Sequence, residues 1–333
     1  MKKNFLMMIL TSSLLVIVMS ATACGQSSQK QTEPNDTIPV RNEPDATNAM
    51  VELTPEFIAA IQKYDQLGVF SEGLAAVCKN NKWGYINTKG EEVIPCQFSC
   101  ASLFKDGLAA AGGGYINTKG EIVISEVPEG FSGYFSEGLA CIASFKYKDY
   151  PEQCEQCFNT MIYTVDFIII DKEGKEIFQV KTGNHSFMLG EGGMPVFDDV
   201  EENIPCFENG EISIPFENKN VVYDRKGIKV REEAYKYRVE EDISSKYNIP
   251  DYGMYECWGG DNGVVLIALY ELKGEIYEGY NEGCGTEFES SDMVTHYGYV
   301  DKNGKDTFTP ELKARCKKLY DKAVKEIGTE ESW

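Results

Sequence analysis

Histidine is nearly absent from this chain: His185 and His296 are the two in 333 residues, far apart in sequence. No G-x-S-x-G, H-E-x-x-H or phosphate-loop pattern occurs, so no hydrolase triad, zincin helix or nucleotide cradle is spelled out. Basic residues are also short, 32 Lys and Arg against 53 Asp and Glu, a net charge of −21. Such a field repels nucleic acid and other polyanions. No apolar run reaches the roughly 18 residues of a membrane-spanning helix. What the chain has is 42% hydrophobic residues with 19 Tyr, 17 Phe and 31 Gly, enough for a packed core and tilted toward strands and turns.

The organising stretch is Trp83-Gly84-Tyr85-Ile86-Asn87-Thr88-Lys89-Gly90-Glu91. Gly84 to Glu91 return unchanged at Gly114 to Glu121, thirty positions later, the mark of a repeat array. Each copy follows an opening of one kind, Phe70-Ser71-Glu72-Gly73-Leu74 and Phe104-Lys105-Asp106-Gly107-Leu108, and Phe135-Ser136-Glu137-Gly138-Leu139 opens a third unit. The turn recurs as Asn87 to Gly90, Asn117 to Gly120, Asp171 to Gly174, Asp224 to Gly227 and Asp301 to Gly304. Asn or Asp opens it through a side-chain bond to the backbone, and Gly takes the left-handed fourth position, as in a type I turn with a Gly bulge. These turns imply five hairpin units, and they lack the ligand ladder of a calcium loop. Phe207-Glu208-Asn209-Gly210 is the opening of the fourth unit, by its distance from Asp224. Alternation puts Trp83 and Tyr85 on one strand face, where packing between units is the expected role. Gly84 admits a close backbone approach.

The pattern of Phe-x-acid-Gly-Leu-Ala, then Trp-Gly-Tyr-Ile-Asn, then Lys-x-Gly resembles the WG-repeat family, across roughly Phe70 to Phe308. Trp stands only in the first unit, and the fifth has His296-Tyr297-Gly298-Tyr299 in its place. The resemblance implies tandem three-stranded β units and no reaction. The expected fold is all-β, a curved, solenoid-like array over 70–308 with an amphipathic helix at each end. The first helix lies in 51–69, started by Thr54-Pro55-Glu56 and closed by Gly68. The second lies in 309–333, started by Thr309-Pro310-Glu311. Its Lys313, Arg315, Lys317, Lys318, Lys322 and Lys325 balance charge on an acidic protein, or touch anionic lipid.

Lys2 and Lys3 precede an apolar run, Phe5 to Val18, that ends at Ala21-Thr22-Ala23-Cys24, a secretory leader over 1–23. Cys24 after Ala23 resembles the lipobox of bacterial lipoproteins, with Ala21 where that family usually has Leu. The resemblance implies a diacylglycerol thioether on Cys24 and a place on the extracytoplasmic face of a cell membrane. An ordinary leader with a free Cys24 is the alternative. Residues 24–50 are polar and read as a tether.

Three insertions break the period, at about 144–159, 231–261 and 271–295. Insertions in repeat arrays map to loops on one face, often the binding face. Tyr252, Tyr255, Trp258, Tyr277 and Tyr280 are the candidate ligand contacts there, with decoration of the array as the bland reading. Ten cysteines besides Cys24 suggest disulfides outside the cytoplasm, although Cys78, Cys141 and Cys316 lie on apolar faces as small hydrophobes. Cys154 and Cys157 have the spacing of half a zinc site or a redox pair, so zinc is a weak candidate and no other cofactor is indicated. Glu72 and Glu137 could serve a glycosidase, but they occupy turns. The sequence therefore points to a non-catalytic binding module for a protein or glycan at the cell surface. The alternatives are an envelope scaffold without a soluble ligand and a carbohydrate-active hydrolase with its site in the insertions.

Overall fold

The computed structural model describes residues 49–147, 160–188, 204–216, 219–234, 243–259, 262–281 and 285–327. Over these residues the chain is mostly strand, laid down as five antiparallel sheets. Helix α1 (Pro55–Ile61) begins at Thr54, whose hydroxyl accepts from the Phe57 N–H, and it ends well before Gly68, which lies inside the first strand. The first sheet is β1 (Gln66–Ser71), β2 (Leu74–Lys79), β3 (Lys82–Asn87) and β4 (Glu92–Phe98). The second is β5 (Leu108–Ala111), β6 (Gly114–Asn117) and β7 (Ile122–Ile124). The third is β8 (Phe131–Ser132), β9 (Leu139–Tyr147), β10 (Thr160–Asp171) and β11 (Glu176–Met188). The fourth is β12 (Phe207–Glu208), β13 (Glu211–Phe216), β14 (Lys219–Asp224) and β15 (Lys229–Ala234). After α2 (Ile243–Lys246) the fifth is β16 (Tyr255–Trp258), β17 (Val264–Asn281) and β18 (Gly285–Asp301), followed by α3 (Pro310–Ile327). The three-stranded unit expected from the family resemblance is thus four-stranded in three sheets, because residues ahead of the acid-Gly turn pair as a further strand, Phe70-Ser71 in the first, Phe131-Ser132 in the third and Phe207-Glu208 in the fourth.

One register recurs in every sheet. Leu74 faces Asn87, Leu108 faces Asn117, Leu139 faces Asp171, Glu211 faces Asp224 and Val264 faces Asp301. Both turn types therefore lie at one end of each sheet, the turn end, and the opposite end is the far end. In the Asn/Asp turn the fourth-residue N–H donates to the carbonyl of the first at 2.9–3.0 Å in all five copies. Its side-chain oxygen accepts from the third and fifth N–H groups, as Asn87 does from Lys89 and Glu91, both at 3.0 Å. In the acid-Gly turn both residues have positive φ, for example Glu72 at 51° and Gly73 at 78°. That is the twist-matched two-residue hairpin, and it places a non-glycine residue in a conformation costing roughly 1–2 kcal/mol.

The joins between sheets show what offsets that cost. Glu72 reaches the next turn, accepting from Asp106 N–H at 2.7 Å and Gly107 N–H at 2.9 Å. Asp106 accepts in turn from Gly138 N–H at 2.5 Å, and Glu137 from Gly210 N–H at 2.8 Å. Charge-assisted bonds of this kind outweigh the strain of one left-handed residue. Deeper in the join, the Tyr85 hydroxyl donates to Ser102 O and the Tyr115 hydroxyl to Gly133 O, both at 2.7 Å. Each ring meets the opening Phe of the next unit edge-on, Tyr85 on Phe104 and Tyr115 on Phe135, both at 4.8 Å. In the third unit Ile169 fills the tyrosine position and packs in one cluster with Phe207. Burial pushes the Tyr85 and Tyr115 hydroxyls far up, so they are neutral donors.

The fifth unit makes the same join with the first. Tyr299 donates to Gly68 O at 2.7 Å, its ring lies 5.2 Å from Phe70, and Asn262 accepts from Gly73 N–H at 3.2 Å. Phe57 of α1 wedges in beside them, 6.1 Å from Tyr299 and 6.4 Å from Phe70. The neighbour order is therefore five, one, two, three, four. An open solenoid running from the first unit to the last, with a helix on each free end, is not what the contacts describe. Helix α1 sits in the join between units five and one, and α3 packs on β17 within the fifth unit. The glycine of the Trp-Gly-Tyr segment is what lets the last strand of a unit cross it. A Cβ on Gly84 would stand 2.4 Å from Ile94 O, and one on Gly114 would stand 2.1 Å from Ile124 O.

Candidate functional site

Two of the three insertions leave the array at the far end. In the first sheet β2 and β3 are joined there by Asn80-Asn81, and in the second β5 and β6 by Gly112-Gly113. At the same place in the third sheet β9 continues to Tyr147 and β10 resumes at Thr160, with β11 running alongside to Met188. In the fifth, β17 and β18 stay paired from Val264 and Asp301 out to Asn281 and Gly285. Residues 144–147, 271–281 and 285–295, expected as loops, are strands that overrun the repeat, and 148–159 and 282–284 lie outside the described residues. Gly274, Gly279 and Gly285 weaken local strand preference, but an antiparallel partner supplies the ladder that decides. The second insertion behaves otherwise. It folds back as α2 and the approach to β16, and its Ile243, Tyr247, Ile249 and Tyr252 pack on the fifth sheet.

The aromatic candidates separate accordingly. Tyr252 is 2% exposed, its hydroxyl donates to Asp306 Oδ2 at 2.7 Å, and its ring is edge-on to Tyr255 and Phe308. It is a core residue and not a ligand platform. Tyr255 is half-buried against it, and Trp258 is half-buried among the residues that join the fifth unit to the first. Tyr277 and Tyr280 lie on the extended part of β17, across from Glu289 and Thr286. Trp83 is half-buried beside Leu74 and Phe98 in the join between units one and two.

The root of the β17–β18 extension carries a charged node that the sequence did not single out. Glu271 is 3% exposed and accepts from Arg315 Nε of α3 at 2.5 Å, with His296 Nε2 at 2.9 Å and Lys273 Nζ at 3.5 Å. The Arg315 guanidinium, against the opposing effect of burial, holds the Glu271 carboxyl at about 2, and His296 and Lys273 act in the same direction. The sign follows: a depressed carboxyl contributes stability above its ordinary value of 4.5, and loses it as pH falls toward about 2. Beside it Leu272, Met293 and Tyr297 pack with Leu319, Tyr320 and Ala323 of α3. The Tyr297 hydroxyl is pushed up to about 12 by burial and by the charge of Glu256. Much of the basic character of α3 is spent internally, Lys313 on Asp306 and Lys317 on Asp251 and Asp321.

Cys78, Cys141 and Cys316 are buried thiols, and burial raises all three, Cys316 to about 11. Cys100 is in a disulfide. Cys24, Cys154 and Cys157 lie outside the described residues, and among the described residues no group of three His, Cys, Asp or Glu could hold a metal. Both carboxylate oxygens of Glu72 accept neighbouring backbone N–H groups, and Glu137 bonds Gly210 and Arg225, so each is built into a join.

Residues 56–83, 83–111 and 114–143 each match the family model of the WG containing repeat. Residues 56–143 thus carry WG repeats. The matched stretch covers the first two sheets and the opening of the third, narrower than the span expected from the sequence pattern. The fourth and fifth sheets, which keep the Asp-to-Gly turns, lie outside the matched residues. No curated protein matches the chain.

Proposed function

We propose that this protein is a non-catalytic binding module, held at the outer face of a cell membrane by lipid on Cys24. Its partner is a protein or a glycan, taken at the far end of the array. The observation that carries this reading is that two insertions in different units lengthen strands at one and the same end. The other end is occupied by turns, of which the acid-Gly ones spend their carboxylates on joining the units. Strands lengthened at one end of a rigid scaffold offer a surface there, and such surfaces are where recognition concentrates.

Replacing 274–291 by a two-residue turn like Asn80-Asn81 is expected to abolish partner binding with the thermal midpoint unchanged within about 3 °C, as for a surface change of under 1 kcal/mol. Retained binding to surface proteins and wall glycans would sink the reading. The anchor is tested separately. Cys24→Ser should abolish palmitate labelling and move the protein from the membrane fraction to the soluble one, whereas unchanged labelling would overturn it.

A further inference from the structure

Independently of the binding-module reading, we infer that residues 49–53 form a latch on the join between units five and one. Its release opens this join while the others stay closed.

The joins differ in what else connects the units. Strand β4 ends at Phe98 and Phe104 opens the second unit, while β7 ends at Ile124 and β8 begins at Phe131. Units linked within a few residues cannot drift apart, because the short link keeps each at high effective concentration for the other. Units five and one have no such link. Tyr299 bonds Gly68 across 231 positions, so among the described residues this join is a seam held by non-covalent contacts.

Residues 49–65 cross that seam. Ala49 O accepts from Asn262 Nδ2 at 2.7 Å, Val51 N–H donates to Asn262 O at 2.9 Å, and Leu53 O accepts from Lys305 Nζ at 2.6 Å. Asn262 and Lys305 both belong to unit five. Val51 and Leu53 are buried in the cluster that holds Val264, Leu266 and Tyr299 of unit five with Phe70 and Val77 of unit one. Met50 lies over Gly263. Helix α1 then fills the join, and from Tyr64 onward the chain is fixed to unit one. The Tyr64 hydroxyl donates to Glu92 Oε2 at 3.0 Å and the Asp65 N–H to Cys78 O at 2.8 Å. One stretch thus grips unit five at its start and unit one at its end, as the short links do elsewhere.

Asn262 couples the latch to the seam. Its main-chain O and its Nδ2 serve the latch, and its Oδ1 accepts from Gly73 N–H of unit one at 3.2 Å. Releasing residues 49–53 removes both latch bonds to this residue, and the acceptor for Gly73 is held less firmly. Elements that share contacts in this way open as one local unit. The chain beyond Ala49 leads to Cys24, so traction on the lipid proposed there reaches the latch before any other part of the array. Only this consequence depends on lipid at Cys24.

The test is amide exchange at single residues on the full chain in detergent. Val51→Ser and Leu53→Ser are combined in one variant, and Lys305→Met is a milder second one that removes the bond to Leu53 O. Gly73 reports the seam, and Gly107, whose N–H donates to Glu72, reports the join of units one and two. In the double variant Gly73 should exchange at least about tenfold faster, with Gly107 within about twofold of the intact chain. Lys305→Met should show the same pattern at about threefold, and it decides alone if the double variant fails to fold. Equal acceleration at both glycines would mean a general loss of stability and would overturn the latch. Faster exchange at residue 51 with Gly73 unchanged would overturn it too, since the seam would then close without the latch. Traction is read by pulling the chain between its N-terminus and Trp333. The intact protein should yield first in a small step that the double variant lacks, and a first step common to both would overturn the consequence for the anchor.

Discussion

The join between units one and two and the join between units five and one use the same parts at very different distances along the chain. In the first, Tyr85 and Ser102 are 17 residues apart; in the second, Tyr299 and Gly68 are 231 apart; and both bonds are 2.7 Å. Two substitutions mark the long-range join. An amide, Asn262, stands where the others have a carboxylate, and the aromatic Phe57 of α1 fills space where a neighbouring unit supplies the apolar end of its last strand. The turn glycines show this replacement directly. Gly120 rests on Ile94, Gly174 on Ile124 and Gly227 on Phe178, all from the preceding unit, while Gly90 rests on Phe57 and Ala60. The chemistry of the join is thus carried by the unit, and α1 adapts it to the place where the chain begins.

If that equivalence is right, the largest effects come from removing the wedge. Phe57 is 1% exposed and Phe104 is fully buried, so Phe57→Ala and Phe104→Ala should each cost about 4 kcal/mol in denaturant unfolding. A cost under about 1 kcal/mol at Phe57 alone would break the comparison and make α1 an ornament on an array already complete. Next come the glycines of the crossing. A Cβ at Gly84 meets backbone, Ile94 O at 2.4 Å and Cys96 N at 2.6 Å, whereas one at Gly298 meets Thr307 Oγ1 at 2.5 Å and the Phe308 ring at 2.7 Å. Backbone cannot step aside and side chains can. Gly84→Ala should cost about 3 kcal/mol and Gly298→Ala about 1, and the reverse order in thermal unfolding would show that the fifth unit is the tighter crossing.

Much of this was readable from local chemistry. The five turns are spelled by Asn or Asp with Gly three residues on, and all five form with the same hydrogen bonds. Gly84 as a close-approach residue follows from its place inside a strand. The join of units five and one was not readable, because no spacing or periodicity links Tyr299 to Gly68. The β17–β18 extension was misread as loop for a related reason: Gly274, Gly279 and Gly285 look like turn residues until β17 and β18 are seen to pair across them. Tyr252 looked like a ligand contact on composition, and its bond to Asp306 depends on a fold-back of 54 residues. Glu271 was passed over because nothing in its neighbours announces Arg315, 44 positions away.

Smaller effects separate the joins more finely. Tyr85→Phe and Tyr299→Phe each keep the ring contact and strand one acceptor, Ser102 O or Gly68 O, so each should cost about 1–2 kcal/mol. Equal costs would support one join chemistry at both places. A cost confined to Tyr85 would mean that Gly68 O finds another donor.

The smallest change tests the amide. Asn262 is 1% exposed and works in two directions, its Oδ1 accepting from Gly73 N–H and its Nδ2 donating to Ala49 O at 2.7 Å. Asn262→Asp restores the acidic residue of the other joins and keeps the acceptor for Gly73, but it removes the donor and turns an oxygen toward the Ala49 carbonyl. The expected loss is about 1 kcal/mol, near the worth of one hydrogen bond. Amide exchange gives the sharper readout. Exchange at Val51, whose N–H donates to Asn262 O, should speed up while Gly73 stays protected. If both sites loosen together, the amide serves the join as a whole. If neither does, the entry of the chain is held by other contacts, such as the bond from Lys305 to Leu53 O.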